Sequence, residues 1–290
     1  MKITEGEVRM DKIVKIEKNS SEEELIQPLF DRVVGVNNWP DFFDDPYCSQ
    51  IMNLIDYDFA ELEAKKDSRS AKNAGLYSCC IQNAIATEIK KYLEEHPRAS
   101  VVTLECKLDT TSLIVDNGMC RIYNLDNFKF IQVREKLLPS SKREKNQPIN
   151  IKERLWYDKV DYNPEDGAIF VITDAFVYWK EEDVRRFINE MSKRFRGATF
   201  VFDSLDKDGR DTKLSSMKKI GIDIKDNFYL DNPKKKLATY SRFLESIESK
   251  PLYSAYKNPE WKVGIGLKLA MKALDITSIN VLKFKDPEVY

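Results

Sequence analysis

The segment Glu105-Cys106-Lys107-Leu108-Asp109-Thr110 follows directly on a short β-branched run, Ser100–Leu104. About twenty residues beyond Lys107 a second strand-like run, Arg121–Leu125, ends in Asp126. In an open parallel sheet, ligands bind outside the carboxyl ends of the strands. An acidic side chain at the end of the second strand can accept hydrogen bonds from a ribose. Asp126 is therefore the first candidate for a nucleotide-type site. Its competing role is to cap the helix that follows, for which a short carboxylate is equally suited.

Other chemistries are excluded by what is missing. The single histidine, His96, sits in Glu94-Glu95-His96-Pro97, where a helix should end before the proline, so it reads as a helix-end cation. A two-histidine zinc helix is impossible, no metal site is expected, and neither the G-x-S-x-G elbow nor the G-x-x-x-x-G-K-[ST] loop occurs. Only 10 of 290 residues are glycine, which leaves little for phosphate-cradling turns. With 47 basic and 48 acidic residues the basic excess of a nucleic-acid-binding domain is absent. No apolar run approaches the length of a membrane span. Five cysteines, an odd count without a visible secretion signal, read as reduced, buried thiols and a cytoplasmic protein.

The elements that must position these residues divide the chain in three. Residues 1–24 form a polar, charged arm. Residues 25–97 read as a helical cap region: two helices around the turn at Pro40 and Pro46, a charged loop over 63–73, and a helix over 76–95. From residue 98 to 290, apolar runs of strand length (Ser100–Leu104, Arg121–Leu125, Gly167–Thr173, Ala198–Phe202) alternate with helical patterns at Ile131–Leu138 and Glu181–Phe195. Such alternation predicts an α/β fold with a Rossmann-like, doubly wound, mostly parallel sheet. The C-terminal third predicts helices over Leu214–Gly221, Pro233–Glu248 and Trp261–Leu274, then an antiparallel strand, Ile276–Lys285, near an edge. The basic helix Trp261–Leu274 could cover one face of the sheet or lie on an acidic membrane surface.

The runs VVTLECKLDTT and RIYNLD resemble the S-adenosylmethionine-dependent class I methyltransferases of the leucine carboxyl methyltransferase and polyketide O-methyltransferase family, which typically reads VVNLGxGLDT before an aromatic-rich strand ending in Asp. Asp44-Asp45-Pro46-Tyr47 and Asp56-Tyr57-Asp58-Phe59 are similar to its N-terminal helical region. Ala175-Phe176-Val177-Tyr178-Trp179 is similar to its G-V-x-x-Y-L, and Glu181-Glu182-Asp183-Val184 and Phe200–Asp203 follow in the same order. The likeness runs over about residues 25–285.

The resemblance implies a class I methyltransferase fold with an N-terminal helical extension and an antiparallel C-terminal edge. It implies S-adenosylmethionine as cofactor and a carboxylate or hydroxyl of a small molecule or peptide as acceptor. Glu105, Lys107, Asp109, Thr110, Asp126, Asn150 and Thr173 take the cofactor positions; Asp174 and Tyr178 line the donor–acceptor junction. The departures are chemical. The G-x-G of the family is Glu105-Cys106-Lys107, with no glycine between Gly75 and Gly118. The arginine that would hold the cofactor carboxylate matches Ile81 or Asn83, the adenine-facing Asp matches Asn150, and Asp174 stands in place of a glycine, with Thr173 where the family has Glu. An alternative expectation follows: an inactive homologue acting as a binding or partner subunit, in a homo- or hetero-oligomer.

Overall fold

The computed structural model describes residues 12–219, 224–225, 227–256 and 275–286. The chain opens with β1 (Val14–Lys15), then α1 (Ile26–Asn38), α2 (Pro46–Leu54), β2 (Ile55–Asp56), α3 (Ala60–Glu63) and the long α4 (Arg69–Glu95). β3 (Ser100–Leu104), α5 (Thr111–Val115), β4 (Arg121–Asp126), α6 (Phe128–Leu137), β5 (Glu144–Pro148), β6 (Ala168–Ile172), α7 (Glu181–Arg194), β7 (Thr199–Leu205) and α8 (Lys207–Lys219) form the α/β body. α9 (Pro233–Leu237), β8 (Leu244–Pro251), α10 (Leu252–Tyr256) and β9 (Thr277–Phe284) complete it.

Seven strands form one sheet in the order β5-β4-β3-β6-β7-β9-β8, and β1 pairs separately with β2. All neighbours are parallel except β9, which runs antiparallel to both β7 and β8. This is the expected doubly wound, Rossmann-like sheet with an antiparallel edge. The order reverses between β3 and β6, which is where such sheets open a ligand crevice.

The central strands are apolar throughout because helices cover both faces. Alternate side chains point to opposite sides. Phe170, Phe200 and Phe202 pack with Phe176 and Phe187 on one face, and Val101, Ile169, Val171 and Val201 meet Ala84, Ile85 and Ile89 of α4 on the other. α7 carries three acids in its first turn and Lys193 and Arg194 in its last, complementing the helix dipole. It stops before Gly197, whose φ of 83° a helix cannot continue.

A third cluster joins the cap to the body: Leu29 and Val33 of α1 and Ile51 of α2 pack against Leu108 and against Phe130 and Val133 of α6. Val14 and Ile16 belong to this cluster. The described end of the polar arm is thus docked by two buried aliphatic side chains, each contributing about 1.5–3 kcal/mol. α1 crosses α4 at a pair of glycines. A Cβ on Gly75 would lie 2.7 Å from the Gly35 amide nitrogen and 2.9 Å from the Asp31 carbonyl oxygen. Backbone contact this close is what suspends Asp31 and Arg32 over the sheet.

α4 already begins at Arg69, inside the charged loop expected over 63–73, and α8 begins at Lys207, ahead of the helix expected over Leu214–Gly221. One element changes type. The helix read over Pro233–Glu248 is only α9, and Leu244 onward is the edge strand β8. The spacing of three between Leu244 and Ile247 has another cause. A one-residue bulge between Leu244 and Ser246 places Leu244 opposite Phe284 and Ile247 opposite Leu282, so both face the core. A strand period of two plus one inserted residue imitates a helical period. The expected helix Trp261–Leu274 and the end of the one over Leu214–Gly221 lie outside the described residues. No helix among the described residues is long and apolar enough to cross a membrane.

Candidate functional site

Above the carboxyl ends of β3, β6 and β7 lies a cavity of about 270 Å³, roofed by α1 and α4 and closed on one side by α8. Its floor is the turn after β3. There Glu105 and Lys107 adopt φ of 51° and 43°, in the left-handed region that favours glycine. Each costs about 1–2 kcal/mol in a residue with a Cβ. The turn keeps this shape because its surroundings fix its backbone. Arg134 of α6, fully buried, donates to the carbonyls of Lys107 (3.2 Å) and Asp109 (2.7 Å). Arg32 of α1 donates to the Leu108 carbonyl at 2.6 Å. Asp126 accepts the Lys107 amide at 2.8 Å.

A second left-handed residue group lies at the end of β6. Asp174 has φ 51°. Its amide donates to Asp203 at the end of β7 (2.7 Å), and its carboxylate pairs with Lys213 of α8. Lys213 also stands 5.0 Å from the Tyr178 ring centroid. Burial works against the Lys213 ammonium, yet Asp174, Tyr178 and Tyr77 hold its pKa above that of an ordinary lysine.

Three carboxylates of the cavity are destabilised as anions. Burial, reinforced by Asp126, pushes Glu105 up to about 7. Burial also pushes Asp203 up to about 6, with the Asp174 charge adding to it, and Asp31 up to about 6. These three groups titrate near neutrality, where a bound partner decides their charge.

The residues singled out from the sequence divide by position. Glu105, Lys107, Asp109, Thr173 and Asp174 line the cavity. Tyr178 stands beside it, 36% exposed and under Lys213. Thr110 is fully buried and donates to Asp45 at 2.6 Å, which also accepts from Gln82 and caps α2 through the Tyr47 and Cys48 amides. Asp126 lies behind the turn: one oxygen takes the Lys107 amide, the other the Asn127 amide at 2.7 Å. Asn150 is away from the cavity, in a surface turn where it accepts the Lys152 amide and donates to Glu153. Asp31, Arg32, Asp203 and Lys213, none of them a candidate by sequence pattern, also line the cavity. Asp203 carried a readable signal, an acid closing an apolar strand just as Asp126 does. Arg32 and Lys213 arrive from distant helices and carried none. Among the described residues no cluster of metal-ligating side chains could hold a metal ion.

A search of solved structures returns a candidate methyltransferase from Thermobifida fusca YX with a TM-score of 0.56, 13% identical, covering 90% of this chain and 94% of that one. The fold is that of a class I methyltransferase. Lower-scoring similarities are human N-acetylserotonin methyltransferase in complex with SAM (TM-score 0.47, 9% identity, 89% and 67% of the two chains) and an O-methyltransferase family protein from Burkholderia thailandensis (0.47, 11%, 94% and 76%). No protein-family model and no curated protein matches the sequence.

In a methyltransferase fold the donor implied by the sequence resemblance, S-adenosylmethionine, would lie against the turn after β3. A cradle made of glycines is bare there. In this chain two charged side chains stand on the same left-handed backbone and line the cavity. The carboxylate placed for the ribose has both oxygens engaged by main-chain amides. The residues do not fit the donor in the pose that the resemblance implies.

Proposed function

We propose that this protein is a methyltransferase-fold binding protein: the cavity at the β3–β6 switch point holds a small molecule, and S-adenosylmethionine is not its methyl donor. The observation that carries this reading is Glu105 and Lys107 in left-handed backbone, both lining the cavity. Side chains at these positions cost conformational energy in the free protein, so their presence argues for a use of the side chains themselves. The role is that of a binding subunit, alone or beside a partner chain in a homo- or hetero-oligomer, and light scattering on the purified chain gives its state of assembly.

Isothermal titration with S-adenosylmethionine and S-adenosylhomocysteine tests the reading. No heat is expected at millimolar ligand. Saturable micromolar binding would overturn it.

A second reading is S-adenosylmethionine-dependent methyl transfer to a carboxylate or hydroxyl of a small molecule or peptide. The retention of Asp109, Thr110 and Asp126 after the first two sheet strands favours it. It requires the donor to displace the Lys107 amide from Asp126. Incorporation of a labelled methyl group into an acceptor extract would establish it in place of the first.

A further inference from the structure

α8 differs from the other walls of the cavity in how it is held. α1 and α4 are seated on apolar clusters through Leu29, Val33, Ile85 and Ile89. In α8, over residues 207–218, Gly209 alone is buried; Leu214 and Met217 are half-buried. Helices in proteins draw most of their stability from packing an apolar face, and α8 packs little of one.

The first turn of α8 is nevertheless fixed. The Gly209 amide donates to Asp206 at 2.8 Å, and the Lys207 amide donates to Asp231 at 2.9 Å. Arg210 donates to Asn227 at 2.6 Å and lies 4.3 Å from the Tyr229 ring centroid. A Cβ on Gly209 would stand 3.0 Å from the Ile276 carbonyl oxygen, so the backbone is pressed against the approach to β9. Beyond Arg210 the bonds turn inward. Asp211 pairs with Lys207, Thr212 donates to the Asp208 carbonyl at 2.8 Å, and Ser216 donates to the Thr212 carbonyl at 3.0 Å, all within the helix. Among the described residues, the polar tie from this part of α8 to the rest of the protein is Lys213, which reaches the Asp174 carboxylate and the Tyr178 ring. Both Lys213 and Asp174 line the cavity. The Asp174 side chain is 51% exposed, so water competes for the pair and the tie is weak enough to break.

We propose that α8 is a gate on the cavity, hinged at its first turn and latched by Lys213 on Asp174 and Tyr178. Release of the latch lets residues 211–218 leave the body by local opening, uncovering Thr173, Asp174 and Asp203 while the sheet stays intact. The gate acts on access alone, so it does not depend on which ligand fills the cavity, S-adenosylmethionine included.

Native-state hydrogen exchange of the full chain, read by mass spectrometry, tests it without a ligand. Amides of 211–218 should exchange at least tenfold faster than those of 184–191 in α7. Lys213→Met and Asp174→Asn each remove the latch charge, and Asn keeps the left-handed backbone at 174. Each should speed exchange of 211–218 about fivefold or more and leave α7 within about twofold. Lys207→Met breaks a pair inside the helix and should change exchange of 211–218 by no more than about twofold. The thiol introduced by Thr173→Cys reports access, and a thiol-specific dye should label it faster by the same factor when Lys213→Met is added. Melting curves show which variants are folded; if Lys213→Met is not, Asp174→Asn decides, and loss of folding in both overturns the gate by making the pair a support of the whole fold. Exchange of α8 as slow as that of α7 overturns it, as does exchange indifferent to both latch variants, or an equal rise in α7. Faster exchange with unchanged labelling of the thiol shows a helix that frays without admitting anything, and overturns it too.

Discussion

Replacing Glu105 by Gln tests how the cavity stores its charge. Glu105 is held in left-handed backbone and its carboxyl is pushed from an ordinary 4.5 up to about 7, chiefly by burial. The charges that face it are Asp126 at the end of β4, Lys107 in its own turn, Lys152 after β5 and Asp174 after β6. The folded state therefore binds more protons than the unfolded chain between these two values. Stability from this group is fully present below about 4.5 and is lost as pH rises through about 7. Gln keeps the shape and the strained backbone but removes the titration. The wild type should then fall behind the variant by about 3 kcal/mol between pH 4.5 and 8, or about half that where cavity water relaxes round the anion. Asp31 and Asp203 titrate in both proteins, so their contributions cancel in the difference. Urea denaturation of both proteins across this range measures it. A difference that does not change with pH, or a variant that becomes relatively weaker as pH rises, would refute the placement of Glu105 against the cavity.

Three further outcomes are expected. Gly75→Ala drives a methyl into the Gly35 amide and the Asp31 carbonyl, so it should cost about 1–3 kcal/mol in urea unfolding, whereas an unchanged midpoint would mean that α1 and α4 do not touch there. Asp126→Ala removes the acceptor of the part-buried Lys107 and Asn127 amides and should cost about 1–3 kcal/mol; unaltered stability with lost ligand binding would instead restore the ribose role. All five cysteines are buried, with burial pushing Cys48 up to about 11 and Cys80 up to about 12, so the native protein should resist a thiol-specific dye for minutes and release five equivalents in guanidinium; rapid labelling of any one contradicts its burial.

The fold was legible where one force dominated. Runs such as Ser100–Leu104 and Gly167–Thr173 are apolar on both faces because both faces are covered, and α7 announces itself by spacing, terminal charges and a glycine stop. Legibility ended where non-local pairing overrode local pattern. β5, Glu144–Pro148, is polar and ends in proline; only β4 beside it makes it a strand. β8 has a helical spacing because its bulge shifts the core-facing residues by one. The Gly35–Gly75 crossing was present in the composition, as isolated glycines inside helical patterns, yet nothing in one sequence says that the two meet. At the site, the sequence named the turn after β3 but not the groups that face it. Asp31 and Arg32 reach the cavity only because α1 lies on α4, and Lys213 only because α8 folds back after β7.

The path of the turn at 105–109 is imposed from outside, by two guanidinium groups and one carboxylate belonging to other elements. Its contour does not depend on which side chains hang from it. A mould of this kind lets the inner surface be rewritten position by position while the cast keeps its outline. That is how a pocket can exchange one clientele for another without the molecule having to invent a new scaffold.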